Sequence, residues 1–252
     1  MTEKNTNDAV SQERWQEAQK WELNHWVQAQ AARSRFGKNY IWKIASSLGL
    51  LPRYRGEDWN AWWREKFDNY RFLPAQVKNA IEVGCGPYTN VRLMMDCCQM
   101  EHLVLSDPLI RTYAKFKLTF VNDMYRKVAC ILDDHPIEEL PFADGYFDLV
   151  VMINVLDHVR DAAECMEQVV RVLRPGGIVV IGQDLTNDQD LAAAVGEEGE
   201  IGHPIKLTAE WFDPYHRSHF IPLVDKVLSR EAGRAPQFHY GTMVYAGKKS
   251  SS

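Results

Sequence analysis

Residues 8 to 35 place Trp15, Leu23, Trp26 and Val27 near helical spacing among Gln, Glu, Ala and Arg, and so predict one long amphipathic helix. A second aromatic cluster, Trp59, Trp62, Trp63, Phe67, Tyr70 and Phe72, ends before Pro74. From residue 79 the pattern changes to short apolar runs separated by helical stretches. The runs are Ala80–Val83, Leu103–Leu105, Val128–Leu132, Phe147–Ile153 and Ile178–Ile181. That alternation is the mark of a parallel sheet covered by helices on both faces. Residues 186 to 202 are polar and broken by glycine, and the segments Phe220–Leu228 and His239–Ala246 are read as a closing antiparallel pair. The chain thus divides into a helical, Trp-rich extension, 1–77, and a sheet domain, 78–252, that form one structural unit.

Composition narrows the classes. The 252 residues are 46% hydrophobic and 25% charged, as in a globular chain able to bury its own core. The formal net charge of −5 argues against a nucleic-acid substrate, which calls for clustered Lys and Arg. No window is long and apolar enough for a membrane span, and the opening residues lack the apolar stretch of a signal peptide, so the expected location is the cytoplasm. Five cysteines without paired ligand spacing read as reduced thiols, the vicinal Cys97 and Cys98 included.

The chemistry begins at Ala80-Ile-Glu-Val-Gly-Cys-Gly-Pro87, where a buried strand enters a glycine turn ahead of a helix. Such a turn lets backbone approach a ligand. A nicotinamide fingerprint would need a third glycine where this chain has Thr89. Glu82, a carboxylate on an apolar strand, needs a partner: a cationic ligand or a set of backbone donors. Asp107, at the end of the second run, is placed to accept both hydroxyls of a ribose. Further on come Leu140-Pro-Phe142, Phe147-Asp148 and Leu173-Arg-Pro-Gly-Gly177.

In this order these motifs resemble the class I S-adenosylmethionine-dependent methyltransferases, over about residues 78 to 185. The resemblance implies a Rossmann-like, seven-stranded, mostly parallel sheet with helices on both faces and an N-terminal helical cap, and S-adenosyl-L-methionine as cofactor. It implies that Glu82, Gly84 and Gly86 lie along the methionine part, with Cys85 in the same turn, and Asp107 on the ribose beside Pro108. Asp134, Pro136 and Ile137 fall near the adenine, and Asn154 and Val155 near the methyl group. This chain departs from the usual single acid at the adenine segment, reading Asp133-Asp-His-Pro.

Transfer from a sulfonium needs alignment of the nucleophile and exclusion of water, and a base only for acceptors such as an aliphatic hydroxyl. His158 is the expected general base, or else a rim histidine bonded to backbone. Asp184 is expected to orient it or to grip a substrate hydroxyl, or else to cap a turn. Asp157 and Asp184 lack a third convergent ligand, and no metal is expected. The histidines of the 203–219 segment are candidate acceptor contacts, with an anchored helix as the alternative. The N-terminal tryptophans read as a sugar-stacking lid or as core or dimer contacts. The whole resembles methyltransferases of bacterial sugar and glycan metabolism, which implies a small-molecule O-methyltransferase. An N-methyltransferase, a protein-directed enzyme, or a non-catalytic cofactor-binding partner protein remains open, as does a homodimer through the N-terminal helices.

Overall fold

A computed structural model describes residues 8–37, 59–116, 119–187, 189–190 and 199–251. Seven strands form one sheet: β1 (Gln76–Val83), β2 (Gln99–Ser106), β3 (Ala129–Asp133), β4 (Phe147–Ile153), β5 (Leu173–Leu185), β6 (Phe220–Ser229) and β7 (Gly241–Lys249). Their order is β3-β2-β1-β4-β5-β7-β6. The first five are parallel, and β7 runs antiparallel between β5 and β6, as the sequence predicts. The order reverses between β1 and β4, so the turns after these two strands flank the crevice in which open α/β sheets bind ligands.

Strands β1 and β2 extend several residues before their predicted starts. Their first halves alternate exposed and buried residues, whereas their last four are covered on both faces and alone read as an apolar run. The Leu173–Gly177 turn is an excursion within β5. Pairing with β4 resumes at Leu149–Ile178 after Phe147–Leu173, and Gly176 takes a positive φ of 74°. Asp148 accepts the Lys78 and Asn79 N–H groups and pairs with Arg174, clasping β1, β4 and β5 where the sheet starts.

Apolar clusters fill both faces. On one, the helix Ala162–Val172 packs Cys165, Met166 and Val169 against β4 and β5. Its N-cap is Asp161, whose side chain accepts the Glu164 N–H. On the other, Trp63 of the helix Trp59–Lys66 is fully buried, and a Cβ on Gly182 would fall 2.6 Å from its ring. Trp63 is therefore core, and the Trp59 side chain lies outside the described residues.

The long helix, α1, runs Gln12–Gly37. It is secured ahead of its first turn, where Val10 N–H donates to Arg160 O and Ala162 N–H donates to Asp8 O. Arg14 then bonds Ile201 O at 2.8 Å. Residues Trp15, Gln19, Glu22 and Trp26 recur at helical spacing and face the crevice. Among the described residues no helix is long and apolar enough to cross a membrane.

Candidate active site

A cavity of about 410 Å³ opens above the carboxyl ends of β1, β2 and β4, beneath α1. Gly84 and Gly86 form its floor in left-handed backbone, with φ of 61° and 56°. A Cβ on Gly84 would lie 2.4 Å from Val155, so this glycine permits contact between the turn and β4. A Cβ on Gly86 would meet nothing within 4 Å: it would project into open space where a ligand lies. Cys85 joins the lining, its thiol pushed up by burial and by Asp107.

Asp107 closes the turn from the next strand. Its Oδ2 accepts Gly86 N–H at 3.1 Å and its Oδ1 accepts Leu109 N–H at 2.8 Å. Burial, and then the charge of Glu22, push its carboxyl up to about 7. Pro108, Pro136 and Ile137 continue the wall on this side. Asn154 and Val155 form the rim after β4, where Asn154 sits at a φ of 58°, a conformation that asparagine tolerates and that turns the chain out of the strand. Its backbone is fixed by an N–H bond to Gly182 O.

Three residues expected at the site stand elsewhere. Glu82 lies behind the glycine turn, where Thr89 Oγ1, Asn90 N–H at 2.7 Å, Asn90 Nδ2 and Val91 N–H all donate to it. Its partners are thus the donors that open the next helix, and it braces the loop from beneath. Asp134 is on the surface, paired with Arg111, while its neighbour Asp133 is turned inward to accept Ser106 Oγ and His135. Asp184 does not reach His158. It is buried beneath the β6–β7 connection, held by Arg234 and Thr242 Oγ1, and it meets the cavity through Arg234, His239 and Asn154.

His158 does line the cavity. Its Nδ1 donates to Gly202 O at 2.8 Å, which leaves Nε2 with its lone pair, 3.8 Å from Asp157 Oδ1. Asp157 Oδ2 accepts from His203 Nδ1 at 2.6 Å, and the two imidazoles lie tilted at 49° with centroids 4.3 Å apart. Burial pushes His158 down, but the Asp157 and Glu22 carboxylates and the Gly202 carbonyl outweigh it, and the group stands above its ordinary value. Asp157 pays its own desolvation against both imidazoles and is held well below the usual carboxylate range. His203 is thus the group beside His158 that Asp184 was expected to be. Ligand atoms of Asp157, His158 and His203 lie within 4.8 Å of one another, a third convergent group that the pairing of Asp157 with Asp184 lacked.

The remaining lining comes from segments far apart in sequence: Trp15, Trp21, Glu22 and Trp26 of α1, and Arg234, Phe238 and His239 between β6 and β7. The two other histidines of the 203–219 segment stay outside. His216 stacks on Tyr245 at 3.5 Å, and its helix, Ala209–His219, is anchored by buried Phe212. Glu22 was missed because a lone acid in a helix rich in Gln and Glu carries no signal. Arg234 was missed because nothing local marks it.

Residues 81–181 match the methyltransferase domain family. The match runs from β1 into β5. The chain is 47% identical over 57 residues to a tRNA U34 carboxymethyltransferase of Syntrophotalea carbinolica, covering 22% of this chain and 18% of that one. It is 26% identical over 106 residues to the chloroplastic tocopherol O-methyltransferase of Arabidopsis thaliana, covering 42% and 30%. The chain therefore spans less than a third of the length of these relatives. The fold is shared with the N-methyltransferase NodS of Bradyrhizobium japonicum, solved with S-adenosyl-L-homocysteine: TM-score 0.55, 16% identity, 87% of this chain and 97% of that one.

The cofactor of the methyltransferase domain is S-adenosylmethionine, and the cavity fits it. Asn90 Oδ1, buried at the glycine turn with no hydrogen-bond partner, is an acceptor for an ammonium group. The open space over Gly86 admits a chain where a side chain would stand. Asp107 keeps acceptor capacity on both oxygens for a ribose diol after its two backbone bonds.

Proposed function

We propose that the protein methylates a hydroxyl of a small molecule, a sugar or glycan unit, in the cavity between the glycine turn and α1. When bound, S-adenosylmethionine supplies a methyl group already activated on a sulfonium. The acceptor oxygen gains that methyl, sulfur keeps the bonding pair as a neutral thioether, and the acceptor's proton goes to His158 Nε2. The observation that carries this reading is the His158 tautomer: Nδ1 is committed to the Gly202 carbonyl, so the lone pair sits on Nε2. Asp157 Oδ1, which accepts no hydrogen bond, stands 3.8 Å away as counter-charge once that nitrogen is protonated. Asp157 and His203 position the base, and α1 covers the site and limits water. The indoles of Trp15, Trp21 and Trp26 supply flat apolar faces of the kind that pack on the C–H side of a sugar ring.

The test is methyl transfer from labelled S-adenosylmethionine to a panel of monosaccharides, nucleotide sugars, amines and tRNA. The reading expects product from a sugar hydroxyl and loss of turnover in His158→Ala. Transfer only to an amine or to tRNA would overturn it.

A further inference from the structure

The cavity holds a carboxylate that the transfer chemistry above leaves without a role. Glu22 faces it from α1, fixed by Trp26 Nε1 at 3.3 Å and by the phenol of buried Tyr113 at 3.2 Å. Both bonds fall on Oε1, so Oε2 is the atom available to a ligand. Aiming a second acid into a site that already contains Asp107 is unfavourable unless a cation lies between them.

The position of Glu22 says which cation. It lines the same cavity as Asp107, at the ribose end, and His158, at the end where the methyl group is passed on, and its charge bears on both. In S-adenosylmethionine the atom that joins the ribose carbon to the transferred methyl is the sulfonium sulfur. We propose that Glu22 is the counter-charge of that sulfonium, and that it makes the site prefer the charged cofactor to the neutral thioether left after transfer. This rests on the methyltransferase reading and adds a residue from the N-terminal helix to it. Before transfer Glu22 and Asp107 share a positive charge. After transfer the sulfur would carry no charge to offset Glu22, and its repulsion with Asp107 would favour release of the spent cofactor.

Calorimetric titration of the full chain with S-adenosylmethionine and with S-adenosylhomocysteine tests this without turnover. Glu22→Gln keeps an acceptor oxygen for Trp26 and Tyr113 and removes the charge. It should weaken S-adenosylmethionine about tenfold and S-adenosylhomocysteine no more than about twofold, and added salt should erode the wild-type preference. Glu22→Asp should recover part of the preference. Equal weakening of both ligands would mean that Glu22 only supports the wall, and would overturn the proposal. If Glu22→Gln loses its native melting transition, Glu22→Asp alone decides: a preserved preference supports the counter-charge, and an unchanged affinity with no preference overturns it. Wild-type protein that binds neither ligand would refute the cofactor assignment, and the proposal with it.

Discussion

The two halves of the cavity are built by different means. The cofactor half is mostly backbone: Gly84 and Gly86 in left-handed conformation, and Asp107 pinned by two N–H groups. All of it follows from one strand–turn–helix unit and the strand beside it. The acceptor half is side chains brought from α1, the rim after β4, the chain near His203 and the β6–β7 connection. A site made of backbone is fixed by sheet order and tolerates few substitutions. One made of convergent side chains depends on how distant segments close, and is free to change its acceptor while the sheet stays the same.

The sharpest challenge to this division is His158→Ala. It should reduce turnover by about 10²–10⁴-fold, the usual worth of a positioned base. Titration should find cofactor affinity within about twofold of wild type, since a tenfold change is ~1.4 kcal/mol and no cofactor contact is removed. A parallel loss of affinity would merge the two halves. Next is Asp184→Ala, which removes the buried carboxylate that Arg234 pairs with. Breaking such a pair costs about 3–5 kcal/mol, read as a lower midpoint in thermal or urea unfolding. An unchanged midpoint would mean that this pair does not tie the β6–β7 connection to the sheet.

The two glycines should then separate. Gly84→Ala drives a Cβ against Val155 and should lose about 2 kcal/mol of stability or more. Gly86→Ala has room and pays only for its φ, about 1 kcal/mol, but fills cofactor space and should weaken S-adenosylmethionine about tenfold or more. Equal behaviour of the two would show that the turn does not cradle the ligand.

A smaller effect is in the pH profile of turnover. The base acts when neutral, so the rate should rise with pH as His158 loses its proton, with a midpoint above that of an ordinary imidazole. Asp157 and Glu22 hold the midpoint up, while Arg234 opposes them and His203 lies alongside. Glu22→Gln should move it down. The smallest effect expected is from a chelator: turnover should survive it. Loss on chelation, restored by a divalent cation, would make Asp157, His158 and His203 metal ligands and take the role of base from His158.

Much of the fold was legible because the last residues of the parallel strands are buried on both faces and write continuous apolar runs, as in Ala80–Val83. The strand starts were not, since their alternating halves resemble loop. At the site, Gly84, Gly86, Asp107 and Asn154 were legible because each occupies a fixed place relative to a strand end. Glu82 misled because a buried carboxylate signals only that partners exist, and here they are the helix donors of residues 89 to 91. Asp184 misled because β5 runs on to Leu185, so the residue lies within the strand, paired with Thr242, and not in the loop past it. Glu22 and Arg234 reach the cavity through closure of the chain, which no local pattern encodes, whereas His203 stood among the candidate acceptor contacts and does line the cavity.

The attachment of residues 8–10 beside the helix at 162 has a practical side. A truncation beginning at β1 would strip Trp63, Phe67 and Tyr70 from one face of the sheet along with the tryptophans and Glu22 that roof the cavity. A bulky purification tag fused just ahead of this attachment sits next to the active-site roof, so tag removal belongs before any judgement that an acceptor is not used.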